Sequence, residues 1–228
     1  MSFPLEPPEP IRGVIFDLHS TLIDQGSADE WLEAALRRTP AERSPQARNT
    51  LVDFLDLVWE NARVHDPDSR RDLDSALHEQ VFHSLIDAGP GIGRPLAEAL
   101  YATLLDTWHA YADAVPTLVE LRTLGMRIGI ISNVGVSIRP VLEREGLIEH
   151  VDAVTLSCEV GCVKPDARIF HEAANAIGCA PATVLMVGDS GKDDAGAAHI
   201  GMRTLILPRT RGPLHGLGVV PALVRASR

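Results

Sequence analysis

The spacing of apolar and polar positions changes rhythm along the chain. Gly13-Val14-Ile15-Phe16 is a short apolar run that stops at Asp17. That is the pattern of a strand buried on both faces of a parallel sheet. From Val115 onward, segments of the two periods alternate. Helices are predicted over 116–124, 137–145, 166–177 and 193–200, and strands over 127–131, 153–156, 183–187 and 204–207. Strands alternating with helices of about ten residues predict an α/β fold with a doubly wound parallel sheet.

Residues 24 to 111 follow another pattern. Few β-branched runs occur, and apolar residues recur at helical spacing: Trp31, Leu32, Ala35 and Leu36, then Leu51, Phe54, Leu55, Val58 and Trp59, with two further stripes over 77–85 and 96–108. Breaks fall at Thr39-Pro40, at 65–68 and at 88–91. The stripes predict four helices, inserted directly after the first strand. Their Trp and Leu residues, Trp108 included, read as helix–helix core. The Pro-rich residues 4–10 read as a floppy leader. The segment from Arg209 to the end reads either as a last strand and helix over 219–226 or as a loose end.

Composition narrows the possible functions. The chain has 228 residues and is 45% hydrophobic, enough to bury a real core. No run reaches the roughly 18–20 apolar residues of a membrane span. The first ten residues have neither a basic nor an apolar signal region, which predicts no signal peptide and a cytoplasmic location. The formal net charge of -10 argues against a nucleic-acid partner. The excess is local: 24–110 holds 16 acidic and 8 basic residues, while 208–228 holds four Arg and no acid. Three cysteines are too few and too scattered for a bridge framework.

In an open parallel sheet, ligands bind beyond the carboxyl ends of the strands. There the chain places Asp17-Leu18-His19-Ser20-Thr21, then Ser132-Asn133, then a loop with Glu159 and Lys164, then Gly188-Asp189-Ser190-Gly191-Lys192-Asp193-Asp194. Buried acids and bases crowded together are costly unless paired or metal-bound. Asp17 and Asp189, with Asp193 behind, form an oxygen-rich set of the kind Mg2+ takes. Lys164 adds a point charge and Ser132 a short donor, the parts for holding a phosphoryl group as it transfers. A carboxylate such as Asp17 can attack phosphorus and form an acyl phosphate.

These stretches resemble the motifs of the haloacid dehalogenase superfamily. IRGVIFDLHSTLID (11–24) is similar to its first motif, D-x-D-G-T-L-x-D in the phosphatases. IISN (130–133) resembles the second, SCEVGCVKPDARIF (157–170) the third, and GDSGKDDAGAAHIGM (188–202) the fourth, G-D-x-x-x-D. The resemblance covers about residues 11–207 and implies a Rossmann-like three-layer core over 1–23 and 112–228, with an α-helical cap over 24–111. It also implies roles. Asp17 is then nucleophile and metal ligand. Ser132 and the Asn133 backbone hold the phosphoryl oxygens. Lys164 bridges nucleophile and phosphate, Asp189 binds Mg2+, and Asp193 orients that shell. Asp194 is left to cap or flank the following helix, and Glu159 to hold its loop or support Lys164.

The chain departs from the phosphatase pattern at His19, where the family has an acid/base Asp, and at Ser20, where it has Gly. The His19 backbone carbonyl keeps its family role as a metal ligand. Its side chain is open to several readings: a working acid/base, a slowed or lost catalyst that only binds a phosphorylated ligand, or a dehalogenation that needs less of a general acid. The resemblance implies a Mg2+-dependent hydrolase of small phosphorylated metabolites, working through an aspartyl-phosphate, as a monomer or homodimer. The other histidines read as surface or packing residues.

Overall fold

The computed structural model describes residues 9–210 and 212–228. Most of the Pro-rich leader lies outside the described residues. Five parallel strands form the main sheet: β1 (Gly13–Asp17), β4 (Arg127–Ser132), β5 (Ala153–Leu156), β6 (Val184–Gly188) and β7 (Arg203–Ile206), in the order β5-β4-β1-β6-β7. β1 lies at the centre, hydrogen-bonded to both β4 and β6, and every residue in it is buried. The apolar run at 13–16 therefore marks a strand covered on both sides.

Alternation along β1 divides the core into two apolar layers. Val14 and Phe16 face α6 (Ala114–Thr123), α7 (Arg139–Arg144) and α10 (Val219–Ala226), through Leu118, Leu121, Val141, Val220 and Val224. Ile15 faces the opposite way, with Ile131 and Met186, onto Ile169, Phe170 and Ile177 in and just after α9 (Ala167–Ala176). The result is a three-layer, Rossmann-like α/β fold. Asp17 ends β1, and the sheet's carboxyl edge opens where β1, β4 and β6 stop.

Five helices, α1 (Ala28–Arg38), α2 (Pro45–Asp56), α3 (Val58–His65), α4 (Ser75–Ile86) and α5 (Arg94–Ala102), follow β1 and surround a separate apolar cluster. Local chemistry sets their starts. Ser27 and Glu30 form a capping box at α1, and Asp74 accepts the Leu77 amide at α4. The stripe predicted as one helix over 51–59 breaks at Leu57, whose amide turns back to Phe54 O. The stripe predicted over 96–108 ends its helix at Ala102, where the Thr103 hydroxyl bonds back to Ala99 O. Its last residues instead form turns that lead into a short ribbon. β2 (Ile23–Asp24) pairs antiparallel with β3 (His109–Ala110) where the chain leaves and rejoins the sheet region. The segment predicted helical over 193–200 is a 3₁₀ stretch, and the last segment does form a helix, α10.

Helices and sheet meet closely above the carboxyl edge. A Cβ at Gly135, in the loop after β4, would lie 2.1 Å from Arg71 O. Ser157, which opens the short helix α8 (Ser157–Val160), donates to Asp72 O at 2.5 Å and accepts from the Val134 amide at 2.8 Å. No helix among the described residues is long and apolar enough to cross a membrane. Phe170 is wholly buried between sheet and α9. Phe170→Ala is expected to lower the unfolding free energy by about 3–5 kcal/mol, measured as a shift of the denaturant midpoint.

Candidate active site

The ends of β1, β4 and β6 bring the strand-end residues to one crevice. Asp17 continues the Gly13–Ile15 face of β1 and is buried. Thr21 donates to its Oδ2 at 2.9 Å from a turn in which the Leu22 and Ile23 amides both reach Leu18 O. Ser20 sits in that turn at φ 65°, the left-handed region. Glycine occupies this region without cost, whereas a residue with a Cβ is strained there. This gives a local reason for the family's Gly at the position, and Ser20 carries the strain.

Lys164 is buried, and its ammonium lies 2.5 Å from Asp17 Oδ1 and 2.6 Å from Asp194 Oδ1. Burial alone would lower its pKa, but the two carboxylates outweigh burial and hold it above the usual lysine range. Burial in turn raises Asp17 above the ordinary carboxylate range, with Lys164 pulling the other way. Asn133 positions the lysine backbone: its Oδ1 accepts the Lys164 amide at 2.8 Å, and its Nδ2 donates to Lys164 O at 3.0 Å. The Asn133 side chain thus clamps the next loop, a role distinct from the backbone contact expected of this residue. Ser132 ends β4, is buried and lines the crevice.

The structure differs from expectation at the adjacent pair Asp193 and Asp194. Asp17, Asp189 and Asp194 each offer an oxygen, all within 4.8 Å of one another. Asp194, expected as a helix cap, is buried in this cluster, and its Oδ2 accepts the Ser190 amide at 2.9 Å. Asp193, expected in the metal shell, instead lies beside Ser190 Oγ at 3.1 Å, half-buried at the cavity wall. Gly188 makes the inward turn possible, since a Cβ there would lie 2.1 Å from Asp194 Oδ2. With two Asp in a row, spacing alone does not choose between them. Three hard oxygen donors and a single ammonium fit a magnesium-type dication.

His19 is half-buried at the same mouth. Its Nε2 donates to Gln25 Oε1 at 2.9 Å, and its Nδ1 lies 3.4 Å from Ser20 Oγ. Burial and the Arg209 guanidinium lower its pKa, with Gln25 opposing, so the neutral ring is favoured. Arg209 reaches the site from the loop after β7, and its Nε sits 2.5 Å from Asp189 Oδ2. Glu159 pairs with Arg139 at 2.9 Å on the surface. Lys192 is exposed at the rim.

A cavity of about 340 Å³ opens over these groups. The helices contribute Trp59, Arg63, Arg71, Asp72 and His78 to its walls. Arg71 lies 3.3 Å from Asp66 and 3.5 Å from Asp72. Burial pushes Asp72 up to about 6, with Arg71 opposing, and pushes His78 down to about 4. His78 is buried, with its Nδ1 3.3 Å from the Tyr101 hydroxyl, so of the two expected roles it takes the packing one, and it also lines the cavity. Trp59 packs on the helical apolar cluster, as its stripe predicts, and Trp108 packs on the sheet-side cluster instead; both are half-buried and also line the cavity. No local signal in the sequence distinguishes these positions, because the cavity forms only when helices and sheet meet.

Residues 11–201 match the family model of the haloacid dehalogenase-like hydrolases. The glyceraldehyde 3-phosphate phosphatase of Methanothermobacter thermautotrophicus is 38% identical over 210 residues, which is 86% of this chain and 85% of that protein. The haloacid dehalogenase-like hydrolase domain-containing protein 3 of Bos taurus is 35% identical over 134 residues, and there the match spans 58% of this chain and about half, 53%, of the relative's own length. Among solved structures, a 2-haloacid dehalogenase from Pseudomonas syringae pv. Tomato DC3000 aligns at a TM-score of 0.64 with 29% identity, covering 96% of this chain and all of that one. The strand-end groups that meet at one crevice all fall within the matched span, and this chain belongs to the haloacid dehalogenase-like hydrolases.

Proposed function

We propose that the protein is a phosphomonoester phosphatase acting through an aspartyl-phosphate on Asp17. The observation that carries this reading is Lys164, whose ammonium is held between Asp17 and Asp194 at the floor of the cavity. A fixed cation beside a fixed carboxylate suits a reaction in which an anionic ester must approach an anionic nucleophile. The sequence similarity to a glyceraldehyde 3-phosphate phosphatase points the same way.

The chain's own residues account for most of the chemistry. Thr21 and Lys164 engage the two Asp17 oxygens, so the carboxylate keeps one orientation for in-line attack. As Asp17 bonds to phosphorus, the ester P–O bond breaks and the departing oxygen takes a proton from the imidazolium form of His19, the minor form because burial and Arg209 favour the neutral ring. Water then attacks the phosphorus of the acyl phosphate, the imidazole takes up its proton, and Asp17 is restored as phosphate leaves. Asp189 and Asp194, with Asp17, would hold Mg2+. When bound, the ion supplies positive charge that offsets the repulsion between ester and nucleophile. The helices over the crevice act as a cap that excludes bulk water. The substrate is a small phosphorylated metabolite.

Phosphate release from a phosphomonoester in Mg2+ should stop on EDTA addition and return with excess Mg2+. Asp17→Asn should abolish it while the circular-dichroism spectrum is unchanged. Chloride release from a 2-haloacid with no phosphate release would identify a dehalogenase. Phosphate binding without turnover of either substrate would identify a binding protein.

His19→Ala should cost roughly 10²–10⁴ in kcat on an alkyl phosphate. It should cost much less on a nitrophenyl ester, whose leaving group needs no proton. Equal losses on both esters would remove the acid role.

Asp194→Asn should weaken Mg2+ binding at least about tenfold by titration calorimetry, as loss of a charged hard-oxygen ligand does. Asp193→Asn should change it far less, and the reverse order would return the metal-shell role to Asp193.

A further inference from the structure

The cavity walls are unlike one another. The floor is the charged cluster of Asp17, Lys164, Asp189 and Asp194. On the helical side stand Trp59, Trp108 and Leu104. A second recess, of about 30 Å³, shares these three residues and adds Trp31 and Leu55. All three tryptophans of the chain therefore line this recess.

Their roles differ. Trp31 is buried, and its indole N–H donates to Leu100 O at 2.9 Å, so it belongs to the packing of α1 on α5. Trp59 and Trp108 are only half-buried and present indole surface to the cavity. Indole surface left wet in a concave site forgoes stabilisation that a ligand ring restores by covering it. The Trp108 ring also lies 5.3 Å from the His19 ring, centroid to centroid. His19 marks where the departing oxygen must sit, so Trp108 borders the first atoms of the alcohol part. The 30 Å³ recess is far below the roughly 150 Å³ of an apolar cavity that takes up benzene, so it is too small for a whole ring. A ring therefore rests in the main cavity, and the recess admits at most its edge or a substituent.

Charge narrows the class further. Asp56, Glu60 and Asp72 stand on the helical side against Arg63 and Arg71, and Arg71 is already paired with Asp66 and Asp72. With three acids against two guanidinium groups, that wall carries a net charge of -1 and favours no second anionic group. Three-carbon phosphates, moreover, would leave most of the 340 Å³ filled with water.

We propose that the alcohol part of the substrate carries a flat, uncharged aromatic ring that packs against Trp59 and Trp108. This rests on the phosphatase reading above.

The test uses all 228 residues of the chain and two probes with alkyl leaving groups, so that leaving-group strength does not decide the result. 2-Phenylethyl phosphate carries a ring and glycerol 3-phosphate does not. Adenosine 5′-monophosphate is a third arm that separates a nucleobase from a simple aryl ring. In Asp17→Asn, which keeps all three tryptophans, a ring ester should quench tryptophan fluorescence. Its half-saturating concentration should be about tenfold or more below that of glycerol 3-phosphate, from stacking plus buried ring area. Preference for either ring ester supports the proposal and names the ring type.

In otherwise unaltered protein, Trp108→Ala should reduce the KM advantage of the preferred ring ester over glycerol 3-phosphate by about tenfold, and Trp108→Phe should restore most of it. Trp59→Ala serves as the independent second variant. Equal affinities for ring and ring-free esters in Asp17→Asn would overturn the ring assignment, even in an active phosphatase. Tight ring binding in Asp17→Asn, together with no phosphate release from any ester by the unaltered enzyme, would instead place the failure with the phosphatase reading.

Discussion

A single buried ammonium organises this molecule. Lys164 comes from the loop between α8 and α9, Asp17 from the end of β1 and Asp194 from the turn after β6, and all three side chains are buried. None would be stable there alone. A lone buried charge costs several kcal/mol, and removing one partner of such a set costs about 3–5 kcal/mol because the others remain charged. The three loops are therefore held together by the same contacts that build the reactive floor. Asn133 adds the β4 loop to the set by bonding both polar groups of the Lys164 backbone.

Around that floor, two further junctions set the shape of the cavity. On one side Ser157 joins the Asp72 carbonyl to the Val134 amide, and Gly135 lies against Arg71 O with no room for a Cβ. Helices and sheet are thus in contact at the cavity edge. On the other side, the loop after β7 carries Arg209 to Asp189 and is itself anchored, since the Asp113 carboxylate accepts the amides of His215, Gly216 and Leu217. Asp113 lies just after β3, where the chain returns from the helices. The basic C-terminal segment thus touches the acidic cluster through Arg209 and this return point through the amides of 215–217.

The core was largely legible before any coordinates. β5 spans the four residues that the apolar pattern marks, and β4 and β6 are displaced from theirs by one residue at most. The reason is that a buried parallel strand needs continuous apolar residues, and few other structures do. The helical region was legible in type but less so in division. Leu57 breaks one stripe with no Pro or Gly beside it, and the two-residue strands β2 and β3 are too short to leave a periodic signal. Asp17, Ser132, Lys164 and Asp189 could be found because each stands at the end of an apolar run or in its adjoining loop, where chain direction alone forces polar groups to gather.

By itself, then, the sequence determined the parallel sheet, the helical insertion and the edge at which acids and a lysine must collect, since local periodicity and chain order are sufficient for these. Only the tertiary structure decided which of two neighbouring aspartates turns inward, what Asn133 holds, where Arg209 reaches, and that Trp59 and Trp108 border a cavity. Each of these depends on residues distant in sequence approaching to a few ångströms: Gly188 making room for Asp194, or helices settling over the sheet edge. Such distances are set by packing between elements, and no spacing along the chain encodes them.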